Sequence, residues 1–250
     1  MAEANNIYSC RYEIVPADCN AQREVSMYYM ANKILDVATR HADEWGIGYH
    51  TITERNHAWV LARLAIDMER YPQPYDTMIA ETWVEDFNAH FSERNFRFST
   101  PEGKTYGYAR SIWFVIDLTT RKSLDISSLG YLSDRRAEKE CLIPRQGRQK
   151  PIARDAVGTE FKVEFSDIDF NRHFNSGKQI EHVMNYFTMA QLDKKFVKRF
   201  EISYMNEAHY GDTLQLAGEE TAPGRYTAEL RPAGEGPVIC RCGIELKERD

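Results

Sequence analysis

Apolar residues in the first half of the chain recur at the spacings of one long helix and several strands. From about Val25 to Trp45 they follow helical spacing and Gly46 provides a stop, so the pattern predicts an amphipathic helix. A shorter strand-like run precedes this helix at about residues 8–15. Further strand candidates follow it, near residues 58–69, 77–86, 90–99 and 107–117.

The second half of the chain repeats this order of elements. A strand is predicted over about residues 159–165 and a helix over about residues 176–192. Strands follow near residues 197–207, 212–220, 224–231 and 237–247. We therefore predict an α+β protein with two similar domains, 1–127 and 158–250, joined by a linker at 128–157.

Polar residues before the two predicted helices also match each other. The triplet Asp-Cys-Asn at residues 18–20 precedes the first helix much as Asp-Phe-Asn at residues 169–171 precedes the second. This alignment places Gln22 opposite His173. The first half would then lack the histidine of the second.

A second match lies beyond each helix. Asp76 and Asp212 each precede a threonine near the start of a predicted strand, and Tyr71 and Glu207 stand five residues before them. The first half would therefore keep the scaffold without the glutamate. We expect the chemistry to be in the second domain.

Composition places the chain among soluble globular proteins, with 42% hydrophobic and 28% charged residues. Its formal net charge of −6 argues against general nucleic-acid binding. The first six residues contain no basic region followed by an apolar run. No apolar run reaches the roughly 18–20 residues that span a bilayer. We expect a cytoplasmic protein without a signal peptide or a membrane span.

The five cysteines are expected to be free thiols, because an odd number comes without a secretory signal. Cys240 and Cys242 form a C-x-C pair in a predicted strand, where both thiols would share one face. No second pair completes a zinc site. We therefore predict neither a structural metal nor a cofactor.

The linker is basic, with seven Lys or Arg residues against Glu138 and Glu140 over residues 135–154. Two interpretations stay open. The segment is a solvated connection, or it is a docking strip onto which electrostatic attraction steers an acidic partner. The candidate docking residues are Arg145, Arg148 and Lys150.

Four polar residues are candidates for chemistry. Asp169, Asn171 and His173 lie just before the second predicted helix, where free backbone N–H groups favour negative charge, and Glu207 follows later. Asn175 or Ser176 would cap the helix (both residue types are common caps). Each residue also has a structural interpretation. Asp and Asn often cap helices, a lone His is more often a surface or packing residue than a catalyst, and a Glu in a strand usually faces solvent.

The segment around these residues resembles a known family. Residues 165–175, F-S-D-I-D-F-N-R-H-F-N, are similar to the W-S-D-x-D-x-N-x-H-x-N segment of the acyl-acyl carrier protein thioesterases of plant plastids and bacteria. Residues 57–63 and 110–115 also resemble that family. The resemblance implies two tandem hot-dog domains, each a long helix wrapped by an antiparallel sheet. The short N-terminal region fits a bacterial member.

The resemblance implies hydrolysis of fatty acyl thioesters on acyl carrier protein, which ends chain elongation. The family's catalytic residues fall on Asp169, Asn171, His173 and Glu207. Ala208 stands where plant members have a cysteine, which favours a carboxylate and water mechanism.

Each of these residues has an expected role. Glu207, with Asp169 nearby, would act as general base or attack directly. Asn171 would orient the reactants, and His173 would donate a hydrogen bond or proton to the leaving thiolate. N–H groups at the start of the helix would stabilise the oxyanion.

The first domain is expected to hold the acyl chain. Candidate lining residues are Met27, Met30, Ile34, Trp59 and Trp83.

Three other functions are also compatible with the sequence. A hydratase or dehydratase of the same fold, a thioesterase acting on coenzyme A esters and a non-catalytic acyl-binding protein all fit parts of the pattern. The sequence leaves open the acyl chain length, the choice between direct attack and activated water, and whether two copies form a homodimer.

Overall fold

The computed structural model describes residues 6–129 and 135–249. Within it the chain divides into two compact units between Arg145 and Gln146, except that residues 26–29 group with the second unit. This division falls inside the predicted linker 128–157. Linker residues 130–134, and the first five residues of the predicted first domain, lie outside the described residues. No helix among the described residues is long and apolar enough to cross a bilayer.

The first unit is built on an antiparallel sheet in the order β1-β3-β4-β5-β2. Its strands are β1 (Ile7–Glu13), β2 (His57–Met68), β3 (Thr77–Phe87), β4 (Ser92–Ser99) and β5 (Thr105–Asp117). Its helices are α1 (Met27–Glu44), which begins in the segment grouped with the second unit, and α2 (Tyr49–Glu54). The predicted strands and the long helix are thus present, whereas the short α2 was not predicted.

Helix α1 has the apolar face that its sequence predicts. Met30, Ile34 and Val37 are each fully buried. The helix is followed by Gly46, whose φ of 71° lies in the left-handed region that favours glycine after a helix end. His41 occupies the next position along the buried face and is itself fully buried. The core of this unit therefore contains a titratable group.

His41 is held by an arginine from the sheet. Arg94 Nη1 of β4 donates to His41 Nδ1 at 2.9 Å and to Thr82 Oγ1 at 3.2 Å. Burial, followed by the charges of Arg94 and Arg135, lowers the pKa of His41 to about 3. Burial also lowers the pKa of Arg94 to about 9. A neutral histidine thus accepts from a buried cation in the core.

The second unit repeats the sheet in the order β7-β10-β9-β8-β6. Its strands are β6 (Thr159–Lys162), β7 (Lys195–Tyr204), β8 (Thr213–Ala222), β9 (Arg225–Pro232) and β10 (Cys240–Glu248). Cys240 and Cys242 are both fully buried at alternate positions of β10, on one face as predicted.

The single helix predicted over residues 176–192 is wrong. The structure has two helices, α3 (Ser176–Met184) and α4 (Met189–Lys194). The Thr188 side chain accepts from the backbone N–H of Gln191, and the Gln191 side chain accepts from the N–H of Thr188. This reciprocal cap starts a new helix although the apolar spacing continues, which is why the periodicity alone missed the break.

The first part of the linker is bound to the first unit. Glu93, whose side chain is only 7% exposed, pairs with Arg110 at 2.8 Å and with Arg145 at 2.9 Å. The Arg110 guanidinium also donates to the carbonyl oxygens of Cys141 and Ile143. The buried Glu93 carboxylate is thus neutralised by two arginines, and their contacts hold the first part of the linker against the first unit.

The second part of the linker is bound to the second unit in a similar way. Glu229, whose side chain is 2% exposed, accepts from the N–H of Ile152 and pairs with Arg241 at 2.6 Å. The Arg231 guanidinium donates to the carbonyl oxygen of Ala153 at 3.0 Å. Each part of the linker therefore packs on its own unit and is not a free tether.

Candidate active site

The turn before α3 is organised by the carboxylate of Asp169. Its Oδ1 accepts from the N–H of Asn171 at 2.8 Å and from the N–H of His173 at 3.1 Å. The Asp169 N–H in turn donates to the His173 carbonyl at 2.9 Å. Arg172 takes a φ of 67° to close the turn. Asp169 thus fixes the backbone that carries Asn171 and His173.

Asn175 caps α3, which confirms one of the two predicted caps, Asn175 or Ser176. Its side-chain oxygen accepts from the N–H of Gly177 at 2.8 Å and from the N–H of Lys178 at 3.1 Å. These two N–H groups are therefore already satisfied. The expectation that N–H groups at the start of this helix stabilise an oxyanion stays a prediction, and these two already have an acceptor in Asn175.

Glu207 lies on a loop, since β7 ends at Tyr204 and the predicted strand 197–207 is too long. The loop meets the turn through one backbone bond, from Phe174 N–H to the Ala208 carbonyl at 2.7 Å. Ala208 is buried, whereas Glu207 and His209 on either side of it are exposed. The His209 N–H donates to the Asp212 carboxylate at 2.8 Å, which fixes the far end of the loop.

These contacts bring two of the predicted residues together. His173 Nε2 lies 3.6 Å from Glu207 Oε2, with the side chains 29% and 44% exposed. The Asp169 carboxylate bonds to the backbone N–H of His173, and Asn171 is exposed. The cluster is thus a histidine–carboxylate pair open to solvent.

His209 joins this cluster, although no role was predicted for it. Its ring stands edge-on to that of His173, with the centroids 5.3 Å apart. The only sequence signal was its position two residues after Glu207. His182 does not join the cluster, because its Nε2 lies 3.1 Å from Asp167 Oδ1 and its ring stacks on Phe161.

The first unit contains the same turn without the same side chains. Asn20 Oδ1 accepts from the N–H of Gln22 at 2.9 Å and from the N–H of Glu24 at 3.3 Å. Arg23 takes a φ of 60°, like Arg172 in the second unit. Asn20 therefore corresponds to the aspartate that organises the second turn.

The predicted alignment of these turns is wrong by two residues. It placed Gln22 opposite His173, whereas the hydrogen bonds place Glu24 there and Gln22 opposite Asn171. The reason is that the turn needs a short side-chain acceptor, which Asn or Asp supplies equally, so matching residue types misled the alignment.

The other half of the predicted alignment is confirmed. The Val25 N–H donates to the Pro72 carbonyl at 2.9 Å, as Phe174 does to Ala208. Tyr71 therefore corresponds to Glu207. The first unit therefore has Glu24 at the position of His173 and Tyr71 at the position of Glu207.

The residues predicted to line an acyl pocket are part of packed structure. Met27, Met30, Ile34 and Trp83 are buried, and Trp59 is half-buried. The indole N–H of Trp83 donates to the Lys139 carbonyl at 2.7 Å, and that of Trp59 to the Ile47 carbonyl at 3.0 Å. Contact with an acyl chain stays a prediction.

The predicted docking residues differ in their surroundings. Arg145 pairs with Glu93 and, at 3.3 Å, with Glu85, so its charge is used within the first unit. Arg148 and Lys150 are exposed in the part of the linker that packs on the second unit.

Comparison with known proteins places both halves in one family. Residues 5–128 match the sequence model of the acyl-ACP thioesterase N-terminal domain, and residues 151–245 match that of the C-terminal domain. The chain is 21% identical to a chloroplastic palmitoyl-acyl carrier protein thioesterase of Arabidopsis thaliana, over 97% of this chain and 61% of the relative. The chain thus spans less than two thirds of that relative's length.

Two solved structures share the architecture. An acyl-ACP thioesterase from Bacteroides thetaiotaomicron superposes with a TM-score of 0.92 at 32% identity, covering 99% of this chain and all of that one. The 12:0-ACP thioesterase from Umbellularia californica gives 0.87 at 17% identity, with both chains fully covered, and shows the fold alone. The predicted pair of tandem hot-dog domains is confirmed.

Proposed function

This chain belongs to the acyl-ACP thioesterase family, and from that premise we propose that it hydrolyses fatty acyl thioesters carried on acyl carrier protein. The products are a free fatty acid and the carrier thiol. One observation carries the proposal most directly: His173, on the segment that resembles the family's, has its Nε2 3.6 Å from Glu207 Oε2. A bacterial relative with a TM-score of 0.92 supports a bacterial enzyme, and we propose that it works in the cytoplasm.

Glu207 and His173 are assigned to the proton transfers of hydrolysis. Glu207 takes a proton from a water molecule whose oxygen attacks the thioester carbonyl carbon, giving a tetrahedral oxyanion. When the C–S bond breaks, protonated His173 gives its proton to the leaving thiolate. The proton held by Glu207 then passes to His173 across their contact, which restores both groups for the next turnover.

Asp169 is assigned a positioning role. Its Oδ1 already accepts two backbone N–H groups, so that oxygen holds the turn and is not free to take a proton from water. The exposed Asn171 amide stands on the same turn, two residues before His173. We assign it as the donor to the developing oxyanion, in place of the capped N–H groups of α3.

The carrier is proposed to dock at Arg148 and Lys150. Both are exposed cations in the linker segment that packs on the catalytic unit. Their neighbour Gln149 anchors this segment, because its Nε2 donates to Glu201 Oε2 at 2.7 Å. An acidic carrier would be steered to these charges by electrostatic attraction.

The test is thiol release from a panel of acyl carrier protein thioesters, with coenzyme A esters of the same chains beside them. Wild type should release thiol from the carrier esters. Glu207→Gln, which keeps the shape but removes the base, should lower kcat by about 10²-fold or more. Equal rates in the variant would remove Glu207 from the mechanism. Faster release from coenzyme A esters would overturn the carrier as substrate.

A further inference from the structure

His209 stands beside the proposed catalytic pair and has no part in the hydrolysis described above. A ring nitrogen from each of His173 and His209 and a carboxylate oxygen of Glu207 all lie within 4.8 Å of one another. Two imidazoles and one carboxylate are the ligand set that holds Zn²⁺ in His₂Glu sites, where a fourth position stays open. Among the described residues, these three form the cluster in which two histidines and a carboxylate lie close enough together to hold one metal ion.

We propose that His173, Glu207 and His209 form a binding site for Zn²⁺ or a similar divalent transition-metal ion, and that the bound ion blocks turnover. The binding stands on the geometry of the three side chains. The inhibition rests on the proposed function, because it concerns the same His173 and Glu207 that move protons in hydrolysis.

The distances are close to those of a zinc site. Zn–N and Zn–O bonds of about 2.0–2.1 Å in a tetrahedron require ligand atoms about 3.3–3.4 Å apart. His173 Nε2 and Glu207 Oε2 already lie 3.6 Å apart. The remaining ligand separations, at most 4.8 Å, close when exposed side chains rotate about their χ angles. The site thus needs side-chain adjustment only.

Backbone hydrogen bonds hold the three proposed ligands near the positions that metal binding requires. The bond from Phe174 N–H to the Ala208 carbonyl fixes the loop against the turn directly beside His173 and between Glu207 and His209. The bond from His209 N–H to Asp212 holds the other side of the loop. Little backbone freedom would therefore be lost on binding, which favours affinity.

The three ligands also predict which metal ions bind and how a bound ion affects turnover. Two imidazole nitrogens suit zinc, whereas Mg²⁺ demands oxygen ligands in octahedral geometry and should not bind. A metal ion occupies the lone pairs of His173 Nε2 and the Glu207 carboxylate. Neither group can then accept or relay a proton, so an occupied site is an inactive one.

Binding is tested by titrating ZnCl₂ into the protein, purified without a histidine tag, in a calorimeter. Wild type should bind one ion at this site. His209→Gln, which deletes one of three ligands, should weaken that binding at least about 10-fold. His90→Gln is the matched control, because His90 is an exposed histidine of the first unit and its loss should leave the affinity unchanged. MgCl₂ should give no binding heat.

Activity supplies the second readout. Within each protein, turnover with and without zinc is compared, so that any effect of the substitution on the basal rate cancels. Half-inhibition should occur at the zinc concentration that half-fills the site, and His209→Gln should raise that concentration by the same factor as the dissociation constant.

Two results would overturn the site: no zinc binding to wild type, or equal binding by His209→Gln. Undiminished turnover at saturating zinc would overturn the inhibition. If no ester is hydrolysed even without zinc, the proposed function fails, and the calorimetry still decides the metal site independently.

Discussion

Lowering the pH should destabilise the first unit through a single buried histidine, His41. Its side chain is fully buried on the core face of α1. Arg94 can only donate, so His41 Nδ1 must accept, and the proton of the neutral ring sits on Nε2. Protonation would place a second cation beside Arg94 and near Arg135, whose guanidinium lies over the Trp45 ring that contacts His41. The folded unit therefore disfavours the protonated form of His41.

The sign and size of the change in the free energy of unfolding follow from the difference in proton binding between the folded and unfolded chains. The pKa of His41 is about 3 in the folded protein, against an ordinary value near 6.5 when unfolded. Between these values the unfolded chain binds a proton that the folded chain does not, so the free energy of unfolding falls as the pH falls. The maximal slope is about 1.4 kcal/mol per pH unit, and from pH 7 to pH 5 this one group should cost about 2 kcal/mol.

The assay is urea unfolding at pH 7 and pH 5, followed by tryptophan fluorescence. It reports on the first unit alone, because all four tryptophans lie there: Trp45, Trp59, Trp83 and Trp113. His41→Gln keeps an acceptor for Arg94 and removes the titration. Other titrating groups are present in both proteins and cancel in the comparison.

Wild type should lose about 2 kcal/mol more than His41→Gln between the two pH values, with unchanged denaturant slopes. His90→Gln, at an exposed site, should lose as much as wild type. A difference between wild type and His41→Gln below about 0.5 kcal/mol would refute the buried neutral histidine.

Two further substitutions test the proposed roles of the polar residues. Asp169→Asn should keep kcat within about 10-fold, because Asn20 holds the same turn in the first unit, whereas Asp169→Ala should lower it about 10²-fold or more. A loss as large for Asn as for Ala would make Asp169 a proton acceptor and not a positioning residue. Arg148→Glu combined with Lys150→Glu should raise KM about 10-fold for carrier esters and leave a small thioester unaffected. An unchanged KM would exclude docking there.

The docking test needs a matched charge control. Lys104→Glu with Lys122→Glu makes the same change at two exposed lysines of the first unit. Its KM for carrier esters should stay near that of wild type. Arg145 is left out of the test, because reversing it would also break its pairs with Glu93 and Glu85.

Features that depend on a few neighbouring residues could be predicted from the sequence. The apolar spacing predicted α1, Gly46 marked its end, and Asn175 was one of two proposed caps for α3. The order of strands and helices, twice over, followed from the same local patterns, since side-chain periodicity reflects which face of an element is buried. The segment containing Asp169 and His173 pointed to the family.

Local signals also had limits where two short-range rules competed. The apolar spacing continued past Met184, yet the cap at Thr188 began a separate helix. The turns at Asn20 and Asp169 were misaligned by two residues, because either residue type can supply the acceptor that organises the turn.

Only the tertiary structure decided which groups meet. The bond from Phe174 N–H to the Ala208 carbonyl joins residues far apart in the chain, and it places His173 beside Glu207 and His209. Buried Glu93 and Glu229 likewise hold the linker through contacts that no periodicity reports. Such pairings depend on how the sheets close around their cores, and a buried polar group takes its partner from whatever the fold brings within hydrogen-bond distance.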